Sequence, residues 1–227
     1  MELRDCFDAP ILKIFEAARL LDQAVTAYIE GNDASARSLI RAADMEEIGE
    51  WLDPIWLRRG ELTKAVKVAN LPPIVPEAAR HKPRHPTPAM KRELVRRDGH
   101  HCRYCGMPLV RKEVRQELNR HYPEAARWKS RNEKDQHRGL QVMWLQYDHL
   151  SVHSRGGKTI ADNLVVSCAA CNYGRDRFTL EEMRFRDPRI HPRYPTWDGR
   201  RAWTGLERIL PEAKRYLQAP DSPFRPS

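Results

Sequence analysis

Two Cys-x-x-Cys pairs, Cys102/Cys105 and Cys168/Cys171, stand 62 residues apart. Each pair presents two thiols on one tight turn, and two such turns supply the four soft ligands of a tetrahedral zinc. A zinc enclosed by four thiolates has no position open to a substrate, so it serves folding and obliges two distant segments to meet. Such a site supplies on the order of 10 kcal/mol to folding. The separation exceeds that of compact zinc ribbons, so the pairs indicate zinc without naming a fold. Cys6 is left over as a free thiol, and four of five cysteines in matched pairs fit a metal clip in a reducing cytosol better than a disulfide framework.

Charge divides the chain. Residues 1–70 carry 9 Lys/Arg against 13 Asp/Glu, whereas residues 71–227 carry 31 against 18, a net of −4 against +13. The basic part is suited to a polyanion, nucleic acid foremost, and the acidic part to a different task. No apolar run approaches the roughly 18 residues needed to span a bilayer, and Met1-Glu2-Leu3-Arg4-Asp5 lacks the basic and then apolar start of a secretion signal. The expectation is a cytoplasmic protein with no membrane partner.

Periodicity predicts an α+β chain, mainly helical, with a small sheet. Apolar residues recur at helical spacing over 9–29 (Ile11, Ile14, Phe15, Ala18, Leu21, Val25, Tyr28), and Gly31-Asn32 supplies a stop. Asp33 or Ser35 can cap a second helix, 45–56 continues the pattern, and 61–69 reads as a further short helix. Residues 1–70 are therefore expected to form an N-terminal helical unit, for a protein partner or a homodimer. Six prolines between 71 and 88 mark a stiff linker, whose His81, Lys82, Arg84 and His85 could follow a phosphate backbone. The main domain is expected over 89–217, with a charged helical insertion at 111–138 broken near Tyr122-Pro123, and 218–227 as a flexible tail that follows Trp197, Trp203 and an amphipathic stretch at 206–217. Between the cysteine pairs, 141–149 and 163–167 read as strands, a helix opens at Cys171 or Asn172, and Thr179 with Glu182 forms a capping box.

Phosphodiester hydrolysis needs a group to deprotonate water, a cation to neutralise the phosphate, and residues that align them. His149 suits the first role, since an imidazole with its ordinary pKa of about 6.5 is largely neutral at cellular pH. Asp148 suits the second as a hard carboxylate, and Asn172 can add an amide oxygen to the same ion. Side chains of adjacent strand residues point to opposite faces, so Asp148 and His149 share one site only if the strand ends or bends there. His153 reads as an exposed loop histidine.

The ordered set Cys102-x-x-Cys105, Asp148-His149, Ser154-Arg155-Gly156-Gly157, Asp162-Asn163-Leu164 and Cys168-x-x-Cys171-Asn172 resembles the HNH endonucleases, with their ββα-metal fold and flanking zinc knuckles. The likeness covers residues 102–182. It implies an HNH core stapled by a four-cysteine zinc, with His149 as general base, Asp148 and Asn172 as ligands of a catalytic ion, Asn163 bracing the loop and orienting His149, and Arg155, Lys158 and Arg175 touching phosphate. Asn172 stands where the family often has histidine, and an oxygen ligand there favours Mg²⁺ or Mn²⁺ over Ni²⁺ or Zn²⁺. The expected partner is DNA, contacted through its backbone with little sequence readout. Some similar bacterial members suggest restriction or antiphage defence. The rival expectations are a non-catalytic zinc-dependent nucleic-acid-binding module and a nuclease subunit active only with a sensor ATPase.

Overall fold

The computed structural model describes residues 2–57, 64–128, 132–190 and 203–213. Trp197, the end of the amphipathic stretch at 206–217, and the tail at 218–227 lie outside them. Helices α1 (Leu12–Ile29), α2 (Asp33–Ala42) and α3 (Glu46–Leu57) form the N-terminal quarter. α4 (Pro88–Asp98) leads to the first cysteine pair, α5 (Lys112–His121) and α6 (Arg138–Val142) follow, and then come β1 (Leu145–His149), β2 (Leu164–Cys168), α7 (Ala169–Arg175) and α8 (Leu180–Met183). The two strands pair antiparallel, Leu145 opposite Cys168 and His149 opposite Leu164, and α7 leaves β2 without a gap. The chain is thus α+β, a helical body around one two-stranded sheet. No helix of the described residues is long and apolar enough to cross a membrane.

The N-terminal helices do not stand apart as a separate unit. Ile14, Leu21 and Val25 of α1, Ile40 of α2 and Ile48 and Leu52 of α3 are fully buried in the same apolar core as Leu94, Leu140, Val142 and Val166. α1 packs on α2 and α6, and α3 packs on α6 and α7. The apolar stripe of α1 is therefore spent inside the chain. His137 bolts the two parts together: its Nδ1 accepts from Leu140 N–H (3.1 Å) at the start of α6, and its Nε2–H donates to the carbonyl of Ile40 (2.8 Å) in α2. An imidazole that accepts at one nitrogen and donates at the other is neutral, and burial indeed pulls its pKa below the ordinary value.

The proline-rich segment is no spacer either. Val75 N–H donates to the Ser154 carbonyl (2.8 Å), His153 Nε2–H to the His81 carbonyl (2.8 Å), and Arg155 to the carbonyl of Pro72 (2.5 Å). Six prolines remove a third of the strap's backbone donors, so fewer N–H groups need partners where it lies along a loop. The helix expected at 61–69 is absent over 64–69: Val66 N–H donates instead to the Glu182 carbonyl (2.8 Å), and Lys64 reaches Asp8.

Local chemistry shifts several other boundaries. Asn32, not Asp33 or Ser35, caps α2 by accepting from Ser35 N–H (3.1 Å). Among its described residues the insertion holds one helix before Pro123, α5, followed by turns over 123–126 and a 3-10 turn at Glu133–Asp135. β1 starts at Leu145 because His137 caps a helical turn that consumes Gln141 and Val142. α7 begins before the second cysteine, at Ala169, with the Cys168 sulfur accepting from Cys171 N–H (3.3 Å). Thr179 and Glu182 make the capping box of α8. Past Trp203, the tail turns at Leu206 in a left-handed conformation into the 3-10 turn Glu207–Ile209.

Candidate functional site

The burial of the two strands prepares two different faces. β2 reads Leu-Val-Val-Ser-Cys and is buried throughout, packed by α4 and α7, whereas β1 keeps only Leu145 and Asp148 buried. α4 is keyed to the sheet by its last residue: the Asp98 carboxylate accepts from Val166 N–H (3.0 Å) while Arg97 holds it at 2.7 Å. One peptide beyond the first cysteine, Arg103 N–H donates to the Val166 carbonyl (2.9 Å), so the first knuckle docks on β2.

This brings Cys102, Cys105, Cys168 and Cys171 together. Their sulfurs all lie within 4.8 Å of one another, and Cys105 and Cys168 are 3.7 Å apart. Tetrahedral zinc with Zn–S of about 2.3 Å sets its sulfurs roughly 3.8 Å apart, so the cluster can hold a metal such as zinc. Hydrogen bonds to Cys102 and Cys168, together with burial, push the Cys105 thiol well above the ordinary range, while Cys102, despite its burial, is held well below it by hydrogen bonds from the other three sulfurs.

Asp148, next to the cluster, faces the interior. Its Oδ2 accepts from Tyr104 O–H (2.7 Å) and Arg175 Nε (3.0 Å), its Oδ1 accepts from Arg175 Nη2, and it is 4% exposed. Arg175 is 1% exposed, and it also donates to the carbonyls of His149 (2.5 Å) and Phe178 (2.9 Å). A buried charge pair of this kind is satisfied by its partners. Burial, and then the Asp148 charge, hold the Tyr104 phenol well above its usual range, keeping it a donor. Two expectations are corrected here. Asp148, as placed, is the anchor of an ion pair and does not line the cleft with Asn172, so the pair does not fit a shared ion. Arg175 is buried and cannot reach a phosphate at the surface.

His149, one residue on, turns the other way. It lines a cleft of about 570 Å³ together with Asn172, the aromatic residues Trp144, Tyr147 and Tyr173, and the cationic Arg84, Lys91, Arg111 and Lys112. The strap supplies Arg84, and α4 supplies Lys91, whose ammonium lies 5.7 Å from the centre of the Tyr147 ring. Arg111 is paired with Glu207 at 2.5 Å, which leaves Arg84, Lys91 and Lys112 as the cations a ligand would meet.

The proton on His149 can be placed from the hydrogen bonds. Thr159 Oγ1 donates to the Arg84 carbonyl (3.2 Å), which can only accept, and the same oxygen lies 3.0 Å from His149 Nε2. With its one proton committed, the hydroxyl accepts from Nε2–H, and the basic lone pair is on Nδ1. Burial, with a further push from His153, lowers the His149 pKa to about 4, against the pull of Asp148, so the ring is neutral at pH 7. His81 holds the same loop, accepting at Nδ1 from Thr159 N–H (3.3 Å). The His153 ring stands 5.4 Å from that of His149 and is tied to the strap instead of being a free loop histidine.

Asn163 ties both ends of the loop between the strands: Oδ1 accepts from Ser151 N–H (2.8 Å), and Nδ2 donates to the carbonyls of Ser151 (3.1 Å) and Lys158 (2.8 Å). Its contacts stop at the loop, and Thr159 holds the imidazole. Gly157 is required there, since a Cβ would come within 1.8 Å of the Ser151 carbonyl oxygen. Arg155 is taken up by Pro72 and Glu182, at 2.5 and 3.2 Å, so it knits strap, loop and α8 together and does not line the cleft of His149. Lys158 is exposed on the loop and is not part of the cleft wall. The cleft cations escaped the sequence reading except for Arg84, which stood out only as one of several basic residues among prolines. Thr159 carried no signal at all.

Comparison with known protein families, curated proteins and solved structures finds no match to this chain. Fold and site thus give an α+β protein with a four-cysteine cluster that could hold a metal such as zinc, beside a basic, aromatic cleft, and the likeness to HNH endonucleases rests on the motif residues themselves.

Proposed function

We propose that the protein is an endonuclease that hydrolyses nucleic-acid phosphodiester bonds, with DNA as the substrate and His149 as general base. The observation that carries this reading is the His149–Thr159–Arg84 chain of hydrogen bonds in a cationic cleft. It fixes a neutral imidazole with Nε2 protonated and Nδ1 basic, as removal of a proton from water requires. Water gives its proton to Nδ1, its oxygen attacks phosphorus, and the phosphorus–oxygen bond to the leaving strand breaks. Arg84, Lys91 and Lys112 offset the phosphate charge. Asn172 is positioned at the cleft to orient water or phosphate. Zinc at the four cysteines would hold the first knuckle against the start of α7, and thereby the Asn172 side of the cleft against β1.

The Mg²⁺ or Mn²⁺ that the family likeness implies finds one of its two ligands at the cleft, Asn172, while Asp148 is engaged by Arg175 and Tyr104. That engagement favours a second reading, in which the same cleft binds nucleic acid without cutting it. Supercoiled plasmid incubated with zinc-loaded protein and Mg²⁺, Mn²⁺ or EDTA separates the two. Nicking that needs the added ion and is lost in His149→Ala supports the nuclease and means that Arg175 yields a carboxylate oxygen. Salt-sensitive binding with intact plasmid under every condition supports the binding module. A role in restriction or antiphage defence belongs to the first reading only.

A further inference from the structure

The cleft wall poses a question that its charge does not answer. Three of its residues are aromatic, and two of them, Trp144 and Tyr147, sit on the approach to and within the same strand as His149. Phosphates need cations only. Aromatic rings in the same wall are suited to base faces, and in a duplex those faces are covered by neighbouring pairs. At about 570 Å³, the cleft is also of the size that encloses one small molecule, within the range of roughly 300–1,000 Å³ typical of ligand sites.

A second, independent observation lies beneath the wall. Arg115 is fully buried, its guanidinium carbon 3.5 Å from the ring centre of Trp128 and 4.4 Å from that of Trp144. None of its three guanidinium nitrogens has a hydrogen-bond partner among the described residues. A buried guanidinium without a hydrogen-bond partner is costly, and burial pulls its pKa well below the ordinary value against the pull of Glu113, which lines the same cleft. Trp128 meets Trp144 edge-on at 5.5 Å, so the three side chains form a wedge that fixes the plane of Trp144 while adding positive potential behind it. On the other side Lys91 stands over Tyr147, setting a phosphate receptor beside a stacking ring.

We infer that the cleft takes unpaired nucleotides, so that the substrate is single-stranded nucleic acid or a duplex with a locally opened strand, its bases stacked on Trp144 and Tyr147 and its phosphates on Arg84, Lys91 and Lys112. The inference rests on the nucleic-acid reading above and deepens it. Fluorescence anisotropy tests it, with the zinc-loaded full-length His149→Ala protein and a labelled oligothymidylate against a duplex of the same length. The single strand should bind at least about 10-fold more tightly. Trp144→Ala and Tyr147→Ala should each weaken it by about 10-fold and leave duplex binding unchanged, while Lys91→Gln should weaken both strands alike and flatten the salt dependence. Trp144→Phe, which keeps a ring against Arg115, should retain most of the affinity. If Trp144→Ala does not fold, Tyr147→Ala and the quenching of a 2-aminopurine-containing single strand by the unsubstituted protein decide. Equal or tighter duplex binding, or aromatic substitutions that weaken both strands equally, would overturn the inference. Its failure is distinct from that of the nuclease reading. Duplex nicking with indifferent aromatic residues defeats only the strand preference, and tight single-strand binding without hydrolysis defeats only the nuclease.

Discussion

Asp148 and His149 are covalent neighbours with opposite fates. Asp148 is sealed in the core with Arg175 and Tyr104, beside the cysteine cluster, and its charge is consumed by structure. His149 is kept neutral by burial, its Nε2–H placed on one hydroxyl and Nδ1 left for chemistry. The alternation of a strand separates them, because successive side chains leave opposite faces. One face of the ββα unit is therefore a fastening and the other a working surface, and substitutions on the two faces should differ in kind: stability on one, rate on the other.

The largest effect belongs to the fastening. Cys102→Ser, or stripping the protein with a strong chelator, should cost on the order of 10 kcal/mol and unfold the shared core, N-terminal helices included. Circular dichroism with and without added zinc reads this directly, and an unchanged melt would detach the cluster from folding. Next comes Asp148→Asn, which leaves Arg175 buried without its counter-charge and should cost about 3–5 kcal/mol in urea unfolding. An Asp148→Asn protein that melts normally and has lost only hydrolysis would erase the contrast between the faces and restore Asp148 as an ion ligand.

On the cleft side the order reverses. His149→Ala should lower plasmid hydrolysis by about 10²- to 10⁴-fold while moving the thermal midpoint little. Thr159→Val strands the Nε2–H of His149 and the Arg84 carbonyl, costing about 1–3 kcal/mol of stability and a smaller loss of rate than His149→Ala. Thr159→Ser, which keeps the hydroxyl, should recover both. The smallest effect is that of pH. His137 and His149 are both held below the ordinary value by burial, the latter at about 4, whereas in the unfolded chain each takes up a proton near pH 6.5. The unfolded state therefore binds more protons at acid pH, so their contribution is full above about pH 6.5 and is lost progressively as pH falls towards 4. His149→Gln should remove part of that acid-side loss in melts recorded across this range, and a protein more stable at pH 5 than at pH 7 would contradict the sign.

The sequence was most legible where chemistry is carried by local spacing. Two Cys-x-x-Cys turns must present paired sulfurs wherever they fold, and the strand, loop, strand, helix order follows from short apolar runs broken by Gly156-Gly157 and Asn163. It was least legible where one segment is defined by another. Prolines at 72–88 read as a spacer because nothing local says that the backbone of Pro72, Val75 and His81 and the imidazole of His81 will close on the loop at 152–159. Likewise the α1 stripe signals burial without saying against what, and α2 and α6 turn out to be part of the answer.

By itself, then, the sequence determined the four sulfurs, the neutral-pH base candidate and the basic character of everything after residue 70, because each depends on residue type and near spacing. Only the tertiary structure decided that Asp148 and Arg175 neutralise each other in the core, that Thr159 and the strap set the His149 tautomer, and that Arg84, Lys91, Trp144 and Tyr147 share one wall. These pairings join residues up to 75 positions apart, as between Arg84 and Thr159. Burial chose among the possible partners by making any unmatched charge or donor costly.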